Sequence, residues 1–204
     1  MIAILDYGVG NLFSLHSSLQ RVGAEAVVTS DEKVIKNADK IILPGVGAFA
    51  DASKKLRDSG LDVLLKEEVQ KGKYLMGICL GMQLLFEKSY EYGEYEGLGL
   101  LKGSVIPMKG NIREDLKIPH IGWNYLHMEK PHFLFQNCKE GDYVYFVHSY
   151  YASGCEGSLL ATTDYGVKMT AAVGKDNVLG CQFHPEKSGD VGLKILRAFC
   201  EYKD

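Results

Sequence analysis

The chain has no apolar run approaching the length needed to cross a bilayer, which argues against a membrane-spanning helix. It has no basic run longer than two residues, and 23 Lys plus Arg against 26 Asp plus Glu leave a formal net charge of −3. That balance argues against nucleic acid as the main partner. Cysteine is sparse and unpaired in pattern: the five residues at 79, 138, 155, 181 and 200 form no Cys-x-x-Cys motif. An odd, scattered set argues against a zinc ribbon and points to a reducing compartment. No His-x-x-x-His helix or cysteine cluster supplies three or four convergent ligands, so no metal and no cofactor is expected. Internal repeats, linkers and low-complexity segments are missing as well. The N-terminus enters an apolar strand directly, without the basic region and cleavage site of a signal peptide. With 204 residues, 46% hydrophobic and 24% charged, the expectation is one cytoplasmic domain over residues 1–204 with a sizeable core.

What is present reads as a parallel α/β pattern. Ile2-Ala3-Ile4-Leu5 is a strand ending in a Gly-rich turn. Leu12, Leu15, Leu19 and Val22 recur at helical spacing with Gly23 as a cap, and Ala26-Val27-Val28-Thr29 is a second strand. Strand, turn, helix, strand is the order of a βαβ unit. Ile41-Ile42-Leu43 is a third strand closed by Pro44-Gly45-Val46-Gly47, and two amphipathic helices follow at about 48–59 and 61–70. From about 116 to 180 the periodicity becomes two-fold and tight turns recur, predicting an antiparallel extension of the parallel sheet. A final helix starts at Ser188-Gly189-Asp190, with Val191, Ile195, Leu196 and Phe199 facing inward.

The chemistry centres on Tyr74 to Gln83. Its left half is strand-like, and its right half, Leu80 to Lys88, is rich in helix formers. Between them lies Gly77-Ile78-Cys79-Leu80-Gly81, the layout of a nucleophile elbow that presents a reactive side chain at a strained apex between small neighbours. Cys79 would sit at a helix N-terminus, which favours thiolate, with the Leu80 N–H pointing where an oxyanion forms. The Pro44–Gly47 turn leaves backbone N–H groups free of the ladder and able to serve as a second oxyanion donor. A cysteine nucleophile needs a base, and the base an orienting group. Of six histidines, His184 ends an apolar strand within His184-Pro185-Glu186. Proline fixes the preceding residue in extended geometry, and Glu186 can return to accept the imidazole Nδ1–H.

These residues resemble the triad-type (class I) glutamine amidotransferases. The family's Gly-x-Cys-x-Gly-x-Gln elbow matches Gly77 to Gln83, and its C-terminal His-Pro-Glu matches His184 to Glu186. The strings at 6–12, 44–49, 119–124 and 146–150 are most similar to glutaminase subunits of histidine biosynthesis, so the resemblance runs from residue 2 to the last helix. It implies a flavodoxin-like, mostly parallel open sheet flanked by helices. It also implies that Cys79 attacks the side-chain amide of glutamine and that His184, held by Glu186, passes a proton to the leaving ammonia. Leu80 and a reoriented peptide at Gly45, Val46 and Gly47 would hold the oxyanion. Gln83, His148, Ser149 and Tyr150 would line the glutamine pocket. The chain shows no second domain for an ammonia acceptor, so the resemblance implies a heterodimer in which a (β/α)8 cyclase subunit receives ammonia through a tunnel. Trp123, Lys187 and Asn11 are the candidates for the docking face.

Three alternatives stand beside this reading. A dinucleotide-binding start would use Asp31 near the end of the second strand, although Phe13 occupies the place of the third glycine. A glutaminase subunit could serve another synthase, such as one in surface sugar biosynthesis. A redox sensor could keep the elbow cysteine, but would have no use for Gln83, His184 and Glu186 together.

Overall fold

The computed structural model describes residues 1–203. The chain begins with β1 (Ile2–Leu5), α1 (Leu12–Arg21), β2 (Ala26–Thr29), α2 (Glu32–Asn37) and β3 (Lys40–Leu43). It continues through α3 (Phe49–Asp58), α4 (Leu61–Gln70), β4 (Tyr74–Ile78) and α5 (Leu80–Leu84). A run of short strands follows: β5 (Phe86–Ser89), β6 (Tyr95–Glu96), β7 (Leu101–Pro107), β8 (His120–Tyr125) and β9 (His127–Met128). Then come β10 (Tyr143–His148), β11 (Tyr150–Ser153), β12 (Leu159–Asp164), β13 (Lys168–Lys175) and β14 (Val178–Cys181), with α6 (Gly189–Glu201) last.

The main sheet has the order β2-β1-β3-β4-β14-β13-β12-β9. Its first five strands are parallel, in the doubly wound order expected of a flavodoxin-like fold. The remaining three are antiparallel, so the predicted C-terminal extension is present. Residues of β1, β3 and β4 are buried on both faces because helices cover both sides, which is why these strands read as continuous apolar runs. Leu5, Ile41 and Leu43 pack with Phe49, Leu56 and Leu65 on one side. Ile4, Ile42 and Met76 pack with Leu15, Leu19, Ile195 and Phe199 on the other.

Three local outcomes differ from the sequence pattern. The helix after the elbow stops at Leu84, and the helix formers Glu87 and Lys88 instead enter β5, which pairs in parallel with β7. Tertiary pairing overrides propensity there. The alternating run 143–150 divides at Ser149, so that β10 pairs β8 while β11 pairs β7. The helix α2 has no apolar signature, being six residues long; the Asp31 carboxylate caps it by accepting from Lys33 and Val34 N–H. Asp31 therefore serves a helix terminus, which removes the dinucleotide reading's acidic ligand.

Candidate active site

Strand β14 lies parallel beside β4, with Cys181 opposite Ile78, and the Cys79 N–H donates to the Cys181 carbonyl at 2.8 Å. The two strands end side by side, so the residues that leave their carboxyl ends meet. Cys79 sits at φ 55°, ψ −112°, a left-handed backbone for a non-glycine residue, costing about 1–3 kcal/mol. The flanking glycines are required by close approach. A Cβ on Gly81 would lie 1.8 Å from the Leu43 carbonyl oxygen, and one on Gly77 would lie 2.6 Å from the Gly81 oxygen. The elbow is thus wedged against the end of β3.

His184 is extended (φ −98°, ψ 99°) ahead of Pro185, as the proline requires. Its N–H donates to the Tyr145 carbonyl at 2.9 Å, and Ser188 Oγ donates to its carbonyl at 2.6 Å. A short 3₁₀ turn, Pro185–Lys187, brings Glu186 back so that His184 Nδ1 donates to Glu186 Oε1 at 2.8 Å. Both side chains are almost sealed from solvent, at 2% and 3% exposure. Burial alone would drive the proton off His184, but the neighbouring Cys79 sulfur and Glu186 carboxylate outweigh it and push the pKa up to about 10. Among the described residues, the only buried side-chain nitrogens and oxygens without a hydrogen-bond partner are His184 Nε2 and Glu186 Oε2. Buried polar side-chain atoms are almost always paired, so an orphan at a histidine nitrogen beside a cysteine is a departure that calls for a ligand or a reaction partner.

A cavity of about 400 Å³ opens beside His184, lined by Cys79, Leu80, Gln83, His148, Ser149 and Tyr150 among others. Val46, Gly47, His184 and Lys187 also reach it. Gln83 Nε2 donates to the Tyr150 carbonyl (3.1 Å) and to Gln182 Oε1 (3.0 Å), while Gln182 Nε2 points at Cys79 Sγ (3.7 Å). Leu80 is the first residue of α5, where the N–H has no intrahelical acceptor. The turn after β3 is partly fixed: Tyr7 Oη donates to the Pro44 carbonyl at 2.7 Å, and Gly45 packs so tightly that a Cβ would meet Gly81 N at 2.8 Å. Gly45 stays behind the cavity wall, whereas Val46 and Gly47, the latter at φ +93°, are the residues of this turn that reach it.

The docking candidates separate. Trp123 is 54% exposed, so it is a surface residue and not a core aromatic. Its ring meets Tyr145 edge-on, and Lys187 Nζ lies 5.9 Å from the centre of that same Tyr145 ring. Asn11 caps α1 by accepting from the Ser14 N–H. Sequence reasoning missed Glu91, Tyr92 and Gln182. Among the described residues, Glu91 is the one carboxylate lining the cavity; its Oε2 accepts from the Phe49 N–H at 2.7 Å, and burial raises its pKa. Nothing in its Tyr-, Glu- and Gly-rich segment marks it. Gln182 did carry a signal, as a lone polar residue in the apolar run from Val178 to Phe183.

Similarity to known proteins agrees with this geometry. The family model for "Glutamine amidotransferase class-I" matches residues 3–201. A protein of Caldanaerobacter subterraneus subsp. tengcongensis, named imidazole glycerol phosphate synthase subunit HisH, is 54% identical over 203 residues, covering 98% of each chain. The protein of the same name from Bacillus subtilis is 51% identical over 98% of this chain and 95% of its own. Among solved structures, a glutamine amidotransferase superposes with a TM-score of 0.74 at 22% identity, covering 97% of this chain and 98% of that one, a likeness of fold. An elbow cysteine, a histidine and a glutamate carried by this fold, and a family match along nearly the whole chain, have one conclusion: the chain belongs to the class-I glutamine amidotransferase family.

Proposed function

We infer that this chain is the glutaminase subunit of an imidazole glycerol phosphate synthase, acting as one domain over its length. The observation that carries the chemistry is the buried Cys79–His184–Glu186 constellation, with its unpartnered Nε2 on a histidine that lines a cavity of amino-acid size. The name shared by relatives at 50% identity and above, including one from Oceanobacillus iheyensis over 98% of both chains, supports the choice of synthase over a paralogue in surface sugar biosynthesis.

Glutamine enters with its side-chain amide toward Cys79. Its α-ammonium pairs with Glu91, whose second carboxylate oxygen is not used by Phe49. Cys79 Sγ attacks the amide carbon, and the C=O becomes an oxyanion held by Leu80 N–H and an N–H of the Gly45-Val46-Gly47 turn. His184, which keeps its proton through neutral pH, donates it from Nε2 to the departing ammonia. Glu186 holds the imidazolium. Water, losing its proton to His184, then opens the thioester and releases glutamate. Gln83, His148, Ser149 and Tyr150 shape the pocket around the substrate.

The ammonia passes to a separate cyclase subunit, a (β/α)8 barrel, in the cytoplasm, where imidazole glycerol phosphate and aminoimidazole carboxamide ribotide form for histidine biosynthesis. No helix of the described chain is long and apolar enough to cross a membrane. The test is glutamate release from glutamine by the chain alone and with the cyclase subunit and its nucleotide ligand. Low activity alone, a large rise in the complex, and loss of both in Cys79→Ala are the expected results. High activity alone, or no response to that cyclase, would assign the chain to a different synthase.

A further inference from the structure

At the cavity wall, β8 and β10 bring two histidines into register: His120, behind the wall, lies opposite His148 in the ladder. The rings bond directly, His120 Nδ1 to His148 Nε2 at 3.1 Å. The direction of that bond follows from its two ends. At one end, His148 Nδ1 faces the Tyr150 carbonyl at 2.8 Å, which can only accept, so His148 carries its proton on Nδ1. At the other, the Asn124 amide is oriented by two backbone groups. Its Oδ1 accepts from Tyr125 N–H (2.9 Å) and its Nδ2 donates to the Asp164 carbonyl (2.9 Å). The same Nδ2 therefore presents a hydrogen to His120 Nε2 at 3.3 Å, and His120 must carry its own proton on Nδ1. The His148 Nε2 lone pair then receives that proton's bond. Stacking between Phe146 and Tyr165, with centroids 4.9 and 4.0 Å away, prevents the His120 ring from turning.

We propose that Asn124 and His120, neither of which lines the cavity, are positioning residues for the glutaminase reaction, fixing His148 as a neutral Nδ1–H tautomer that anchors the Tyr150 carbonyl. That carbonyl is also where Gln83 is anchored, and Gln83 holds Gln182 against Cys79 Sγ. One directed chain of donors thus runs from β8 to the Tyr150 carbonyl, and a second starts at Gln83, which donates to that carbonyl and, through Gln182, toward the nucleophile. Both ring nitrogens of His148 are committed, so it is a strut in the cavity wall and takes no proton in the reaction. Neutrality matters because a cationic His148 would repel the imidazolium of His184. Burial favours the same state, lowering His148 to about 3 and His120 to about 4.

The kinetic part of the test rests on the glutaminase reading; the spectroscopic part does not. Long-range ¹⁵N–¹H spectra of the full chain should show His120 and His148 both as Nδ1–H tautomers at neutral pH. His120→Leu removes the donor to His148, whereas the His120→Asn amide can occupy the place of Nδ1 and restore it. In the complex with the cyclase, His120→Leu should lower kcat about tenfold with KM within about threefold, and His120→Asn should recover most of the loss. Asn124→Asp, which can only accept from His120, should move the His120 proton to Nε2 and so take the donor away from His148 Nε2, read in the same spectra as a change of the His148 tautomer. A His148 found as Nε2–H or cationic in the wild type would overturn the proposal. So would a wild-type kcat in His120→Leu, or a His120→Asn variant no better than Leu. If the wild-type complex releases no glutamate, the glutaminase reading falls while the spectra still decide the tautomers.

Discussion

His184 illustrates how a single side chain links stability to chemistry. The folded protein holds its proton up to about 10, against an ordinary value of 6.5, although burial works against the charge and the Cys79 and Glu186 contacts must overcome it. A raised pKa means that protonation stabilises the fold fully below about 6.5, and that this contribution drains away as pH rises through about 10. His184→Gln should therefore flatten the fall of stability between those values, read as urea midpoints at pH 6, 8 and 10. Glu91 makes a different prediction. Its carboxylate is the one acidic side chain of the described residues in the cavity wall, so Glu91→Gln should raise KM for glutamine about tenfold or more with a smaller change in kcat. Tyr92 also lines the cavity, at φ 55°, a backbone strained for a bulky residue. Tyr92→Gly should raise stability by about 1 kcal/mol, checked by thermal unfolding, because glycine adopts this conformation without a Cβ clash. Cys79, His184 and Glu186 were legible in the sequence because their motifs dictate local backbone: glycines around an elbow, proline after a histidine. Glu91 and Tyr92 were not, since a loop residue's aim is decided by the elements that the loop crosses.

At the level of elements, the site depends on β4 and β14 starting together so that they end together. Asn177, in the turn before β14, fixes that start. Its Nδ2 donates to the Val69 and Lys73 carbonyls, both at 2.8 Å, and its own carbonyl accepts from Leu75 N–H. Asn177→Ala leaves two carbonyls short of a donor and should cost about 2 kcal/mol, measured by denaturant unfolding, with a fall in glutaminase activity as the strand ends lose alignment. The elbow's own packing is less forgiving. Gly81→Ala places a methyl inside the Leu43 carbonyl and should cost about 3 kcal/mol or more, checked in the same unfolding experiment. The parallel strands and long helices were readable because apolar runs and 3.6-residue spacing survive any tertiary context. β5 and α2 were not. Phe86 to Ser89 is drawn into a strand by its pairing with β7, and α2 exists by virtue of the Asp31 cap and the packing of Ile35.

On the scale of the whole molecule, the two faces of β8 have opposite environments. Ile121 and Trp123 point outward and are 59% and 54% exposed, while His120 on the other face is buried against His148. Ile118 just ahead of β8 and Tyr143 on its partner β10 are exposed as well. Large apolar side chains gathered at one edge of a protein are the composition of an interface core, with aromatic residues as the usual anchors. This edge adjoins the cavity, because Lys187 both lines the cavity and lies over the Tyr145 ring that Trp123 touches. A partner seated there would cover the mouth and receive ammonia without releasing it to solvent. Trp123→Ala should therefore weaken cyclase binding by about 2 kcal/mol or more, measured by titration calorimetry, while the unfolding temperature of the isolated chain stays within about 2 °C. The glutaminase activity of the saturated complex separates docking from catalysis. It should return to near the wild-type rate once enough cyclase is added, because the triad, Glu91 and the Tyr150 carbonyl lie outside the altered contact. An unchanged affinity would move the docking face away from β8.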